Sequence, residues 1–299
     1  MKLEKKDFLK YYNQERKPDT HKGDYGRVFV VAGSEGMTGA AMLCAESAIR
    51  TGAGLVYIFS PGKLLPIYEV GCKEAVKIKV GNDNTAYFEE NHISQIIKTL
   101  KNAGRQACVV VGPGLGTKMQ TKRFVQGLLP ELKNLDIPVI LDADGLNACA
   151  NLFGKEEKLP NKLIVTPHIK ELSRFTGMTM EYINNNRADA ALQTSKEFGA
   201  ITVLKGNNTL VSSSAAASEK IYVNTTGNAG MATGGSGDVL AGIIAGLVAS
   251  DSEENSLFEI VCCGVYIHGM CGDIAAEKYG QRAVKAGDLT EMLKEVNSK

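Results

Sequence analysis

Short apolar runs rich in Val, Ile and Leu recur along the chain, and segments with helical spacing lie between them. RVFVVAG (Arg27–Gly33), GLVYIFS (Gly54–Ser60), ACVVVG (Ala107–Gly112), IPVILD (Ile137–Asp142), LIVT (Leu163–Thr166) and ITVL (Ile201–Leu204) read as strands. Their apolar residues run on without alternation, as in strands covered on both faces. AVKIKV (Ala75–Val80) alternates instead, and reads as an edge strand or the start of an insertion. Thr209–Ser212 and Lys220–Val223 are further strands. Helices are predicted over Ala40–Thr51, Ile93–Lys101, Gln120–Leu135, Ile169–Thr176, Arg187–Phe198, Val239–Ala249, Ser256–Tyr279 and Leu289–Val296. Residues 1–26 read as a short leading helix and a linker broken at Pro18 and Gly23. Strands alternating with helices predict an α/β fold: one domain over 1–299, with a mainly parallel central sheet and helices on both faces. Ligands of such sheets sit beyond the carboxyl ends of the strands.

One strand end dominates the chemistry. Asn224–Leu247 (NTTGNAGMATGGSGDVLAGIIAGL) leaves the strand IYVN and carries glycines at 227, 230, 234, 235 and 237. From about Asp238 it becomes a helix too apolar to be exposed. A helix start after such a loop offers unpaired N–H groups and the positive end of the helix dipole, a place for phosphate. Asp238 falls in the first turn, where the dipole is expected to keep its carboxylate ionised. An anion cradle beside a base suits taking a proton from a hydroxyl while stabilising a phosphoryl group. A β-branched side chain at Gly235 is expected to fill the space that phosphate needs. The plainer reading, a glycine-rich turn with an acidic cap, fits a lone G-x-G-D better than five glycines in eleven residues.

Other strand ends are more ambiguous. GSEGMTG (Gly33–Gly39) spaces its glycines as G-x-x-G-x-x-G, not as a dinucleotide fingerprint, and no acid stands near Gly54–Ser60 to hold a ribose. Gly112–Gly116 (GPGLG) reads as a tight turn on its own. Asp142 and Asp144 in DADGLN suit water-mediated Mg²⁺ binding or helix capping. His168 and Glu171 in TPHIKE are three apart, with no third metal-ligand partner apparent. Lys205, after ITVL, could meet a nucleotide phosphate or ribose, or be simply solvated. The chain has no P-loop and no G-x-S-x-G elbow.

Charge and composition narrow the class. The formal net charge of +1 favours neither nucleic acid nor a membrane surface. Seven cysteines, with no C-x-x-C pair, sit mostly in apolar runs and read as buried reduced thiols of a cytoplasmic protein. The N-terminus has no apolar core of a secretory signal, and its acids and single Arg16 argue against a transit peptide. No apolar run is expected to be long enough to span a bilayer.

Taken in order, GSEGMTGAA, GPGLG, LDADGLN, TPHIKELSR, VLKGNNT and NAGMATGGSGDVLAG resemble the ADP- or ATP-dependent NAD(P)H-hydrate dehydratases, whose fold is ribokinase-like. The resemblance runs from about Lys22 to Leu289, leaving 1–22 as an N-terminal extension; an accompanying epimerase domain is not expected. It implies repair of NADH or NADPH that has taken up water, by phosphorylating the ring hydroxyl with ADP or ATP, with Mg²⁺, and then eliminating phosphate. Asp238 would be the catalytic base and touch the substrate. The nucleotide would bind at Lys205, Gly206, Asn207, Asn208 and Thr209, and at Asn228, Ala229, Gly230, Met231, Ala232, Thr233, Gly234, Gly235, Ser236 and Gly237. Ala40, Gly116 and the segment His168–Arg174, with Glu171, would line the hydrated-dinucleotide site. Asn207 stands where a small residue is expected.

Two other readings compete. A small-molecule kinase of the same superfamily, acting on a hydroxymethylpyrimidine, thiazole or sugar, would carry the same GSGD loop; GSEGMTGAA and TPHIKELSR favour the dehydratase. Against a non-catalytic nucleotide-binding regulator stand Asp238 and the complete loop. A short chain of this kind leans to ADP. Ser256–Tyr279, apolar on almost every face, is expected to be either core or a subunit interface, and the resemblance favours a homotetramer.

Overall fold

The computed structural model describes residues 5–12, 16–104, 106–150, 159–215, 218–251 and 256–298. Parts of the leading helix and linker expected over 1–26 fall at 1–4 and 13–15, outside the described residues. The strands are β1 (Arg27–Val31), β2 (Leu55–Pro61), β3 (Val76–Val80), β4 (Ala107–Val111), β5 (Val139–Leu141), β6 (Leu163–Val165), β7 (Ala200–Leu204), β8 (Leu210–Ala215) and β9 (Ser218–Val223). They form a single sheet ordered β3-β2-β1-β4-β5-β6-β7-β8-β9. Pairing is parallel from β3 to β7 and antiparallel through β7, β8 and β9. AVKIKV is therefore a parallel edge strand. The chain turns left from β1 to β2 and β3, then resumes on the other side with β4. The crevice at that switch lies between the loops after β1 and β4.

The helices are α1 (Lys5–Tyr12), α2 (Thr38–Arg50), α3 (Leu65–Gly71), α4 (Ile93–Leu100), α5 (Met119–Lys133), α6 (Asp144–Ala148), α7 (Ile169–Thr176), α8 (Met180–Asn185), α9 (Arg187–Phe198), α10 (Ser236–Ser250), α11 (Leu257–Tyr279) and α12 (Ala286–Met292). Val28, Val30, Val110 and Ile140 point to one face, where they meet α2, α10, α11 and α12. Phe29, Val31, Val109 and Leu141 point to the other, against α4 and α5. Burial on both faces is why these strands lack polar alternation. Three short helices, α3, α6 and α8, escape the sequence pattern. In α3, Pro66 stands in the first turn, where a missing N–H costs nothing. The last helix ends earlier than expected, and Leu293–Ser298 continues as a 3₁₀ turn.

Helix α11 corrects one expectation and decides between two readings of its own apolar faces. It is 23 residues long and apolar enough, by length and composition, to cross a bilayer, so a run of that length does exist. It is instead the core helix of this sheet face, with Val261, Cys263, Ile267 and Cys271 fully buried. Its outer side is covered within the chain. From α1, Phe8 stacks on Tyr266 with ring centroids 4.5 Å apart and meets Tyr222 edge-on at 5.2 Å. Tyr11 donates to Glu259 at 2.6 Å, and Tyr12 donates to the Leu293 carbonyl at 2.8 Å. The apolar surface that suggested a subunit interface thus belongs to the monomer core.

Candidate active site

Three neighbouring parallel strands end in polar residues that converge. Asp142 directly follows β5, Thr166 follows β6 and Lys205 follows β7. Asp142 is 1% exposed. Its Oδ1 accepts from Thr166 Oγ1 at 2.6 Å and from Lys205 Nζ at 2.8 Å. The same ammonium lies 3.5 Å from Glu171 Oε2. Burial works against the charge on Lys205, but Asp142 and Glu171 outweigh it and hold the ammonium above its ordinary pKa. Glu171 is also half of a capping box at the start of α7. It accepts from the His168 N–H at 2.8 Å, while His168 Nδ1 accepts from Lys170 and Glu171 N–H at 3.0 and 3.2 Å. The i, i+3 spacing of His168 and Glu171 is this cap. Glu171 turns inward to Lys205, and His168 stays half-exposed.

The glycine-rich loop enters from the other side. α10 begins at Ser236, two residues before the expected start, with Gly235 as its N-cap at φ +95°. Asp238 lies in its first turn. Burial, and then the negative charge of Asp142, push its carboxyl up from 3.8 to about 7; Lys205 pulls the other way. The expected ionising effect of the helix dipole is overridden by desolvation. The result suits a general base, which works best with a pKa near the operating pH. A β-carbon at Gly235 would stand 2.6 Å from Leu43 Cδ1 and 2.9 Å from Ala286 Cβ. Gly235 therefore faces α2 and α12, not the phosphate space, contrary to the expectation. A β-carbon at Gly237 would instead lie 3.4 Å from Lys205 Nζ and 4.0 Å from Asp142 Oδ2. Gly237 is where the loop meets the charged cluster.

Between the two sides opens a cleft of about 590 Å³. Lys205, Gly206, Asn207, Asn208 and Thr209 all line it, and so do Asn228, Ala229, Met231, Ala232, Ser236 and Gly237. Gly230, Thr233, Gly234 and Gly235 do not. Asn208 holds the turn at φ +53°, and Arg187 of α9 donates to the carbonyls of Leu204 and Asn208 at 3.3 and 3.5 Å. Asn207, the departure noted in the sequence, lines the cleft without obstructing it.

The remaining residues gather at the switch point. Ala40 stands in the first turn of α2, against Gly114. Ser34 Oγ donates to the Gly114 carbonyl at 2.9 Å, tying the loops after β1 and β4 together. The Gly116 N–H donates to Asp144 Oδ2 at 2.8 Å. Asn147 Nδ2 donates to Asp144 Oδ1 at 3.4 Å, and Arg174 donates to Asn147 Oδ1 at 3.0 Å. GPGLG, DADGLN and the end of TPHIKELSR are thus joined by hydrogen bonds. Asp144 accepts from Gly116 and Asn147, while Asp142 Oδ1 is taken by Thr166 and Lys205. Among the described residues no group of three His, Cys, Asp or Glu is placed to hold a metal.

The model of the NAD(P)H-hydrate dehydratase family matches residues 28–295. The chain belongs to that family. An ADP-dependent (S)-NAD(P)H-hydrate dehydratase of Neisseria meningitidis is 36% identical over 281 residues, covering 92% of this chain and 86% of that protein. A ribokinase-like superfamily protein of Enterococcus faecalis matches in structure with a TM-score of 0.82 at 25% identity, covering 99% of this chain and 95% of the other. The ADP/ATP-dependent NAD(P)H-hydrate dehydratase of Bacillus subtilis, co-crystallised with ATP/Mg²⁺, matches with a TM-score of 0.75 at 29% identity, covering 95% and 93%. The fold is ribokinase-like, as the resemblance implied. Other curated relatives are bifunctional NAD(P)H-hydrate repair enzymes, and the chain spans about half their length.

Some residues that shape this dehydratase-family site were not singled out in the sequence. His268 of α11 lines the cleft, and its Nε2 donates to the Ser236 carbonyl at 3.0 Å. Burial pushes its imidazole down to about 4, so it is neutral there. Asp273 accepts from the Gly227 N–H and from Asn228 Nδ2, both at 2.9 Å. Between them, Gly272 lets Met231 pack directly on the helix. These positions form one face of α11 that seats the glycine-rich loop. The available signal was HGMCGD, a polar interruption in a helix otherwise apolar all round.

Proposed function

We propose that this chain dehydrates hydrated NADH or NADPH at the expense of an adenine nucleotide. Asp238 carries the reading: a partly buried carboxyl near pKa 7, next in the chain to Gly237 on the wall of the nucleotide-sized cleft. The nucleotide lies in the cleft with its terminal phosphoryl group at Ser236, Gly237 and Lys205. The hydrated nicotinamide ring reaches Asp238 along Ala40, Gly116 and His168. Asp238 takes the proton of the ring hydroxyl as its oxygen bonds the terminal phosphorus and the bond to the nucleotide breaks. Lys205 and the N–H groups at the start of α10 stabilise the charge on the transferring group. Phosphate then leaves with the C–O electron pair, a proton departs from the neighbouring carbon, and the double bond returns. The products are the reduced dinucleotide, phosphate and AMP from ADP, or ADP from ATP. Phosphorylation is what makes this feasible, since hydroxide is a poor leaving group.

ADP is the preferred donor in this reading, supported by the ADP-dependent relative. A nucleotide bound in the cleft would bring Mg²⁺ with it, and the ion would offset the charge of the phosphates. Seven buried, unbridged cysteines support a cytoplasmic location. A homotetramer is supported by exposed apolar residues at one sheet edge, Ile67 and Val70 on α3 and Val76 on β3. The test is incubation with hydrated NADH and either ADP or ATP. Regained reduced-nicotinamide absorbance with stoichiometric free phosphate is expected. A stable phosphorylated product would make the chain a kinase, and no turnover with either nucleotide would overturn the assignment.

A further inference from the structure

The turn Asp142-Ala143-Asp144 has a backbone that its sequence does not favour. Ala143 sits at φ +47°, ψ −116°, a region an L side chain rarely adopts. Such strain persists only where the surroundings over-determine it, and it clusters at functional sites. Its effect here is to send two carboxylates in different directions. Asp142 goes to Thr166 and Lys205, on the nucleotide side. Asp144 goes to the Gly116 N–H, on the loop that faces the crevice at the switch point. The turn is itself anchored between strands: the Asp142 N–H donates to the Val111 carbonyl at 3.1 Å, and the Gly145 N–H to the Asp142 carbonyl at 2.9 Å.

We propose that this turn is a brace shared by the two half-sites. Asp142 is a positioning residue that aims the Lys205 ammonium at Gly237, where the phosphoryl group passes from the cleft to the Asp238 side. Asp144 is a positioning residue that fixes the backbone of the Gly112–Gly116 loop against the hydrated dinucleotide. One strained alanine thereby sets the distance between donor and acceptor. The inference rests on the function proposed above, but its geometric part does not. A purely structural ion pair would give the same stability loss on removal. It would not divide its kinetic effects between the two substrates.

The groups whose charge acts on Asp238 are Asp142, Asp144 and Glu171, which favour its protonated form, and Lys205, which opposes it; the buried Cys44 thiol of α2 feels the Asp238 charge in turn. Removing the Asp142 charge therefore moves the titration of Asp238 to lower pH. Removing Asp144 does so less, because its charge acts on Asp238 more weakly than that of Asp142.

The experiment uses the full chain with three variants, Asp142→Asn, Asp144→Asn and Ala143→Gly. Steady-state kinetics with hydrated NADH and ADP or ATP across pH give kcat and both KM values. Carbon-13 NMR of carboxyl-labelled aspartate follows Asp238 without substrate. Asp142→Asn is expected to lower kcat by about 10–100-fold. It should move both the acid limb and the Asp238 resonance to lower pH, with the nucleotide KM within about threefold of wild type. Asp144→Asn is expected to raise the dinucleotide KM about tenfold, with the smaller shift of the acid limb. Ala143→Gly relieves the strain, so it folds at least as stably, and it should weaken both effects of the brace together: lower kcat and higher dinucleotide KM. If Asp142→Asn fails to fold, Thr166→Val, which removes one of the two bonds to Asp142, should lower kcat without moving the acid limb. Variants that lose stability alone, with KM values, acid limb and Asp238 titration unchanged, would overturn the brace. A wild-type chain inert toward hydrated dinucleotide would instead overturn the proposed function, and the Asp238 titration would still decide whether Asp142 sets its environment.

Discussion

Replacing Asp238 by Asn should stabilise the protein while silencing it. Above neutrality the folded chain holds an ionised carboxylate in a place that disfavours one. Its carboxyl titrates at about 7 when folded against 3.8 as its ordinary value, so the folded state binds this proton more tightly than the unfolded state. Stability from this group is therefore full below the ordinary value and falls as pH rises to about 7. Each pH unit in that window is worth about 1.36 kcal/mol. From pH 5.5 to 7 the wild type should lose about 2 kcal/mol that an Asn side chain, which does not titrate, would keep. The full window amounts to about 4 kcal/mol, an upper bound because Asp238 is only partly buried and solvent screens it.

The assay is urea unfolding of wild type and Asp238→Asn at pH 5.5 and pH 8. The stability difference, Asn minus Asp, should rise by about 2 kcal/mol between the two pH values and stay flat above 8. Turnover should fall by about 10²–10⁴-fold, with nucleotide affinity by calorimetry retained. A stability difference that does not change with pH would refute the raised pKa. A variant with near wild-type turnover would remove Asp238 from the chemistry. Loss of nucleotide binding would show that Asn disturbs the loop, so the rate loss could not be assigned to a missing base.

Gly235→Ala should destabilise by a few kcal/mol, roughly the scale of an overpacked core with a strained backbone, because its β-carbon meets Leu43 and Ala286 at φ +95°. Gly234→Ala, with nothing within 4 Å, should be tolerated, and thermal melting of the pair checks both. Asp273→Asn keeps the shape of the side chain and weakens its bonds to Gly227 and Asn228. It should raise the nucleotide Kd by about tenfold, roughly the scale of a charge-assisted hydrogen bond, and unchanged calorimetry would remove α11 from loop seating. Phe8→Ala should cost about 3–5 kcal/mol in urea unfolding, since the ring is 1% exposed between Tyr222 and Tyr266. Light scattering of the wild type at micromolar concentration should give about four times the 32.0 kDa chain mass, and a single-chain mass would remove the tetramer.

The sheet was legible because its strands are buried on both faces and so carry unbroken apolar runs between helical segments. Val28 and Val30 face one layer while Phe29 and Val31 face the other, and no polar residue interrupts them. The cleft was legible because phosphate binding by backbone leaves a local signature of glycines ahead of a helix. Lys205 through Thr209 and most of the loop after Asn228 do line one cavity. Contacts between distant strand ends were not legible. Asp142 and Lys205 are 63 residues apart, and only the order β5-β6-β7 brings their side chains to 2.8 Å. That order also placed Thr166 between them. Given parallel strands that pair consecutively, an Asp, a Thr and a Lys at successive carboxyl ends is a pattern a sequence can offer, once the sheet order is known.

The least legible feature is the electrostatic one. A carboxylate in the first turn of a helix is ordinarily stabilised by the dipole, and the sequence offers no reason to think otherwise for Asp238. Its carboxyl rises instead, because the turn is buried and because Asp142 lies across from it. The loop leading to Asp238 is anchored on α11. His268 holds the Ser236 carbonyl, Gly272 admits Met231, and Asp273 ties down Gly227 and Asn228. The far side of the helix is covered by Phe8 and Tyr11 of α1. Two distant properties of the sequence are therefore linked. An apolar helix that would fit a membrane span by length and composition becomes, with α1 over it, the wall on which the loop leading to Asp238 is seated.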